Sequence, residues 1–302
     1  MERGISTMFK AIVMDMDGTL LNSSNHIPEK TKDLLMKLQR QGVKIILASG
    51  RSYMRLLSYG KELELEKYGG YFIEVDGIAI YDLKNQKRDV LKRFKPEDIR
   101  EVYAYIMKLE CEVQAVFDDG LYAYFPESIL NIKKEMRRNG QYPEDFPWTA
   151  GPWGWLEDMS KGYPDIHYIQ SENDLDREYN KVQCMQEEKR LAQIYKELMD
   201  VYGNQFELFR TCPRQVEILP KGYNKGKTLK RIMDRNGWNR EDVIAFGDGE
   251  NDVSLFDYVE ASYAMGNAAA YVKERAKYIT DTNDHEGIYQ ALIKEIEKGL
   301  GN

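Results

Sequence analysis

The sequence predicts an α/β fold, a parallel sheet core interrupted by an inserted α+β domain, and three observations predict it. Strand-length apolar runs alternate with helix-period stretches from Phe9 onward, and the same rhythm returns after Pro220. On both flanks the apolar runs stop at chemically active side chains: Ile12-Val13-Met14 ends at Asp15 and Asp17, and residues 243–247 end at Asp248. The stretch between, residues 84–219, changes rhythm and carries helix–strand–strand at each of its ends, the pattern of a separate sheet with its own helices.

Each element has its own warrant. Residues 12–14 read as a buried strand, and Gly18 lets the chain turn sharply after the two acids. Pro28 suits a first helical turn, and residues 31–41 place Leu34, Leu35 and Leu38 on one face before Gly42. Residues 43–48 form the next strand, bounded by Ser49-Gly50, so a right-handed parallel crossover is expected. A helix over residues 52–65 leads to a strand at 71–75, and Asp76-Gly77 reads as a hairpin turn into 78–81. In the inserted segment, helices are expected over 96–109, 127–138 and 187–202, and strands over 112–117, 121–125, 165–169, 181–185, 206–209 and 216–219. Residues 141–161 stand apart, with Trp148, Trp153 and Trp155 among Pro and Gly. After Pro220, helix 225–236 closes at Gly237. Strand 243–247, helix 251–259, strand 261–265, a helix near 268–276, strand 278–280 and helix 287–298 complete the chain.

Composition narrows the function classes. No apolar run reaches the roughly 18–20 residues that span a bilayer, and residues 1–7 lack the apolar segment of a secretory signal, so no membrane partner and a cytoplasmic location are expected. Those seven residues read as an extension, or as an upstream start ahead of Met8. Cys111, Cys184 and Cys212 are scattered without metal-ligand spacing, which points to reduced thiols. A net charge of −7 argues against a nucleic-acid partner; a small phosphorylated molecule fits better.

Asp15 and Asp17 invite a division of labour, one as nucleophile or metal ligand and the other as general acid/base. A calcium loop would need Gly where Leu20 stands. Ser49-Gly50-Arg51 and Asp248-Gly249-Glu250-Asn251-Asp252 also follow apolar strands, and strand ends of an open parallel sheet share one crevice. Asp15, Asp17, Asp248 and Asp252 would crowd there, and two such charges about 4 Å apart repel by roughly 4 kcal/mol at an effective dielectric near 20. A cation among them is therefore expected, and all-oxygen ligation selects a hard ion such as Mg²⁺. Ser49, the Gly50 N–H and Lys225 would serve phosphoryl oxygens, which makes phosphoryl transfer to an Asp the expected reaction class.

The ordered set Asp15-Met16-Asp17-Gly18-Thr19, Ser49, Lys225 and Gly247-Asp248-Gly249-Glu250-Asn251-Asp252 resembles the four motifs of the haloacid dehalogenase superfamily. With Ala48-Ser49-Gly50-Arg51 and Met265-Gly266-Asn267-Ala268, the wording is most similar to the Cof-type phosphatases of subfamily IIB. The resemblance implies a Rossmann-like core over residues 8–83 and 220–302, with an inserted α+β cap over 84–219. It implies Asp15 as nucleophile and Mg²⁺ ligand, and Asp17 as acid/base that also lends its carbonyl to the metal. Asp248 is implied as a ligand, Asp252 as a residue behind the ligands or bridged to the metal through water, and Asn251 as a neighbour of the phosphoryl group. Glu74-Val75-Asp76-Gly77 departs from the family's Asn-Gly, a change expected to leave the catalytic groups untouched. The implied activity is a Mg²⁺-dependent phosphatase for a small metabolite, a sugar phosphate first and pyridoxal phosphate second. A phosphomannomutase-like transferase and a non-catalytic phospholigand-binding regulator are the alternatives. Trp153 and Trp155 are candidates for an aromatic wall that selects the leaving group, against a role in packing the cap.

Overall fold

The computed structural model describes residues 9–300, with side chains through residue 298, so the reading of residues 1–7 lies outside the described residues. Two compact units emerge, one from the chain up to Leu91 and again from Tyr223, the other from Lys92–Gly222.

In chain order the first unit begins with β1 (Ala11–Asp15), α1 (Glu29–Arg40), β2 (Lys44–Ala48), α2 (Tyr53–Glu62), α3 (Leu65–Tyr68), β3 (Tyr71–Glu74), β4 (Ala79–Asp82) and β5 (Lys87–Val90). The second unit contains α4 (Pro96–Lys108), β6 (Glu112–Val116), β7 (Gly120–Tyr124), α5 (Glu127–Asn139), β8 (Asp165–Tyr168), β9 (Lys181–Met185), α6 (Glu188–Tyr202), β10 (Phe206–Cys212) and β11 (Gln215–Pro220). The chain then returns to the first unit through α7 (Lys225–Asn236), β12 (Val243–Gly247), α8 (Val253–Phe256), β13 (Ala261–Ala264), α9 (Ala270–Lys273), β14 (Tyr278–Ile279) and α10 (Gly287–Leu300).

The first sheet runs β14-β13-β12-β1-β2-β3-β4-β5, parallel up to β3 and antiparallel beyond. Its central strands β1, β2 and β12 are apolar on both faces because both are covered: Ile12, Met14 and Leu47 pack with Leu35 and Leu38 of α1 and Leu292 of α10, while Val13, Ile46 and Ala245 pack with Leu229 and Ile232 of α7. The register sets Asp15 beside Ala48, and Met14 beside Phe246, so the carboxyl ends of β1, β2 and β12 open side by side. The far end of the chain secures the near end: Glu286 accepts hydrogen bonds from the Thr31 hydroxyl at 2.6 Å and from the Lys30 and Thr31 N–H groups at the start of α1.

The core runs eight residues past the expected boundary at residue 83. Residues 87–90 read K-R-D-V, too charged to suggest a strand, yet an edge strand tolerates charge, and Lys87–Val90 pairs antiparallel with β4. At the other junction, Lys221 and Gly222 bond back to Gly203 and Glu207, which keeps them in the second unit. Three expected helices are shorter than their periodicity implied. The one over 52–65 breaks where Glu64 turns left-handed (φ 50°), 251–259 starts with a 3-10 turn at Glu250–Asp252, and 268–276 reduces to α9.

The second unit's sheet runs β10-β11-β9-β6-β7-β8, and α4 and α6 cover one face through Ile99, Val102, Leu191 and Ile194 against Val113, Val182 and Ile218. The opposite face alternates to polar residues that are nevertheless buried: Glu112, Gln114, Lys181, Gln183, Gln215 and Glu217. They satisfy one another, Gln183 donating to Gln114 at 2.6 Å and Lys181 to Glu217 at 2.7 Å. Lys133 of α5 reaches Glu112 at 2.7 Å and donates to the carbonyls of Trp148 and Trp155, tying the Trp-rich segment to the sheet.

Candidate active site

Lys225 is the first residue of α7, capped by the Asn224 side chain on the Lys227 N–H. A cation at a helix N-terminus opposes the helix dipole, and this one is fully buried, so its charge needs compensation from nearby acids. They are present. The ammonium donates to Asp15 Oδ1 at 2.6 Å and Asp252 Oδ1 at 2.7 Å, with Asp76 Oδ1 at 3.8 Å. Burial alone would lower its pKa, but Asp15, Asp252 and Asp76 outweigh that and hold it well above the ordinary lysine value.

Asp15, at the end of β1, is buried and pushed well above the usual carboxylate range by desolvation and by Asp252, with Lys225 pulling the other way. Asp248 follows β12 and is pushed up to about 7 by burial and by Asp252, against the Thr19 hydroxyl that donates to its Oδ1 at 2.6 Å. Asp252 spends its other oxygen on the N–H groups of Asp248 and Gly249, at 3.0 and 2.9 Å, which fixes the loop after β12. Asp15, Asp248 and Asp252 each offer an oxygen within 4.8 Å of the others, a cluster that could hold a metal ion. Gly18 makes this packing possible: it is left-handed (φ 80°), and a Cβ there would lie 2.4 Å from Asp248. Asn267 bonds the Gly18 carbonyl at 2.8 Å and so ties the loop after β13 to the turn after β1.

Ser49 is buried after β2, its oxygen accepting from the Arg51 N–H at 3.2 Å. Gly50 lies against Asp76, and Asn251 donates its Nδ2 to Asp76 Oδ1 at 2.8 Å. Asp17 goes elsewhere. Its carboxylate is more than half exposed and is held by Arg51, whose Nε bonds Oδ2 at 3.0 Å while a terminal nitrogen bonds Oδ1.

A family model described as haloacid dehalogenase-like hydrolase matches residues 12–292, almost the whole chain. The chain belongs to the haloacid dehalogenase-like hydrolase family. A curated relative, the 5-amino-6-(5-phospho-D-ribitylamino)uracil phosphatase YcsE of Bacillus subtilis, is 24% identical over 94% of each chain. A crystal structure of a haloacid dehalogenase-like hydrolase from Bacteroides thetaiotaomicron shares 25% identity at a TM-score of 0.71, covering 95% of this chain and 99% of that one. The subclass IIB sugar phosphatase BT4131 is similar in fold, with a TM-score of 0.71 at 22% identity over 94% of this chain and 98% of that one. The chain is accordingly an enzyme of this hydrolase family, with the subclass IIB fold.

Within this haloacid dehalogenase-like site, one expectation is corrected. The departure at Asp76 does reach residues expected to serve the phosphoryl group, since Asp76 accepts from Asn251 and lies 3.8 Å from the Lys225 ammonium; the turn carrying it sits on the carboxyl end of β3, a parallel neighbour of β2. An acid at the end of a third parallel strand was a signal that its reading as a hairpin turn concealed. Arg51 was likewise visible only as part of a motif, and its partner Asp17 emerges from the fold. In the second unit, Trp148 and Trp155 carry Arg137 and Arg214 over their rings at 3.6 and 4.1 Å, whereas Trp153 is 75% exposed.

Proposed function

We propose that this enzyme is a Mg²⁺-dependent phosphatase that hydrolyses a small phosphorylated metabolite, a sugar phosphate above others, through phosphoryl transfer to Asp15. The observation that carries the reading is the Lys225 ammonium shared between Asp15 and Asp252 beside Asp248. It is a buried carboxylate nucleophile set among the charges that phosphate chemistry needs.

The donor set fits the metal. Carboxylate oxygens suit a hard cation, and burial and mutual repulsion keep Asp15 and Asp248 high, a strain that a divalent ion would relieve. Asp15, Asp248, the Asp17 carbonyl and, through water, Asp252 would hold it. Bound there, Mg²⁺ would neutralise phosphoryl charge and keep Asp15 ionised. One oxygen of Asp15 attacks phosphorus, the bond to the leaving oxygen breaks, and Asp17 supplies the proton that makes the leaving group an alcohol. Asp17 then takes a proton from water as the water attacks phosphorus, which releases inorganic phosphate and restores Asp15. Lys225, Ser49, the Gly50 N–H and Asn251 serve the phosphoryl oxygens. Among the described residues no helix is long and apolar enough to cross a membrane.

The choice of leaving group falls in this reading to the second unit, and Trp153 is its best candidate because its ring is exposed, while that of Trp155 is packed on Arg214. The test is phosphate release from a panel of sugar phosphates, pyridoxal phosphate and an aryl phosphate. Release with Mg²⁺ and none in excess chelator supports the reading; no release from any ester, or full activity in chelator, overturns it. Trp153→Ala should cost the best metabolite more than the aryl phosphate, with Trp155→Ala as the packing control.

A further inference from the structure

Three acids surround the Lys225 ammonium, and the proposed reaction uses only two of them. The third, Asp76, is fully buried. It lies in a 3-10 turn between β3 and β4 where Val75 and Asp76 are both left-handed, at φ 43° and 54°. Side chains rarely adopt that conformation, and a β-branched Val least of all, so the surroundings must hold it in place.

They do so from two sides. The Asp76 N–H donates to the Ser49 carbonyl at 2.9 Å. Gly77 sits so close to the Asn224–Lys225 peptide that a Cβ would come within 2.3 Å, and Thr228 donates to the Gly77 carbonyl at 2.5 Å. The turn is thus pinned between the end of β2 and the start of α7. This aims the Asp76 carboxylate at Asn251, whose Nδ2 donates to Oδ1 at 2.8 Å. Oδ2 faces Gly50, where a Cβ would approach within 2.8 Å. Lys225, 3.8 Å away, offsets the cost of burying the charge.

A carboxylate only accepts hydrogen bonds, whereas an amide presents oxygen on one side and two N–H donors on the other. The terminal amide torsion is broad and nearly two-fold, so Asn251 without a partner would sample both orientations. Facing Asp76, only one is favourable: one N–H is spent on the carboxylate and the other remains to donate. We propose that Asp76 is a positioning residue that locks the Asn251 amide with its donor side available to the phosphoryl oxygens. The proposal rests on the phosphatase reading and adds to it a residue that acts through Asn251.

The experiment is a double-mutant cycle on the full chain with Mg²⁺, using Asp76→Ala, Asp76→Asn, Asn251→Ala and the two doubles. Two quantities are read: kcat/KM for 4-nitrophenyl phosphate, and calorimetric binding of inorganic phosphate. Asp76→Ala should lower kcat/KM about tenfold or more, and Asp76→Asn should recover part of the loss, since its amide oxygen can still accept from Asn251 without locking it. In the Asn251→Ala background, either change should cost less than about threefold, and phosphate binding should show the same non-additivity. Asn tolerates the left-handed backbone, so its cycle stands even if the Ala variant does not fold. Additive losses, or kcat/KM unchanged in the Asn and Ala variants alike, overturn the proposal. Phosphate binding without turnover in the wild type would overturn the phosphatase reading, while the calorimetric cycle would still decide the role of Asp76.

Discussion

Arg51 grips the Asp17 carboxylate with a two-point fork, Nε on Oδ2 at 3.0 Å and a terminal nitrogen on Oδ1. A fork of this kind fixes orientation as well as charge, because guanidinium and carboxylate match in plane and spacing. The carboxylate assigned to proton transfer is therefore held apart from the cluster of Asp15, Asp248 and Asp252.

A group that moves a proton to the leaving oxygen matters most when that oxygen is a poor leaving group. Asp17→Asn should thus cost about 10²–10⁴-fold in kcat on an alkyl phosphate, and far less on 4-nitrophenyl phosphate. Arg51→Ala should show the same leaving-group signature at smaller size, since it acts through Asp17. Equal losses on both esters would remove Asp17 from proton transfer.

Asp248, near 7 in the metal-free protein, sets a pH dependence. Its unfolded pKa lies near 4, so between about pH 4 and pH 7 the native state binds the extra proton, and metal-free stability falls as pH rises through that window. A divalent ion competes with the same proton. Mg²⁺ affinity should therefore weaken below about pH 7, and the rise in Tm on adding Mg²⁺ should be larger near pH 8 than near pH 6. Calorimetry and thermal melts at both values check this, and an affinity independent of pH would contradict it.

The second unit offers a stability test of its own. Glu112 and Lys133 are both fully buried and 2.7 Å apart; burial pushes Glu112 up and Lys133 down, each opposed by the other. Removing one partner strands the other, so Lys133→Met should cost about 3–5 kcal/mol, measured by denaturant unfolding. With the ammonium gone, Glu112 stays protonated to higher pH, and its raised folded pKa gives stability that is lost as pH rises. The destabilisation should accordingly shrink toward acid pH. A loss under about 1 kcal/mol would show the pair to be replaceable by packing.

The sequence made the first unit largely readable because its strands are buried on both faces and stop abruptly at Asp15, Ser49 and Asp248, a pattern that periodicity and composition both register. It concealed β5, since an edge strand needs no apolar run, and it concealed the breaks at Glu64 and Glu250, which depend on backbone conformations with no residue signature. At the site, Asp15, Asp17, Asp248 and Asp252 read as one acidic set because like charges at neighbouring strand ends demand a counter-charge; three of them do gather, while the Asp17 carboxylate turns to Arg51, and Lys225, read only as a donor to phosphoryl oxygens, bridges Asp15 and Asp252. Asp76 was not legible as part of it, since an Asp-Gly pair between two strands has a sufficient local explanation. The Arg51–Asp17 fork joins two loops whose closeness only the folded sheet creates. In the second unit, the buried Gln and Glu face looks like solvent-side alternation in sequence, and its burial is a tertiary fact.

The central claim is that Asp15 carries the phosphoryl group, and trapping that group tests it most directly. The enzyme is quenched during turnover of its best ester with Mg²⁺ and reduced with borohydride, which converts an aspartyl phosphate to homoserine, and the peptides are then mapped by mass spectrometry. The account predicts homoserine at residue 15 alone, absent without substrate, and an Asp15→Asn variant that folds normally while losing about 10⁴-fold or more in turnover. Homoserine elsewhere, or an Asp15→Asn enzyme retaining more than about a tenth of wild-type activity, would contradict it.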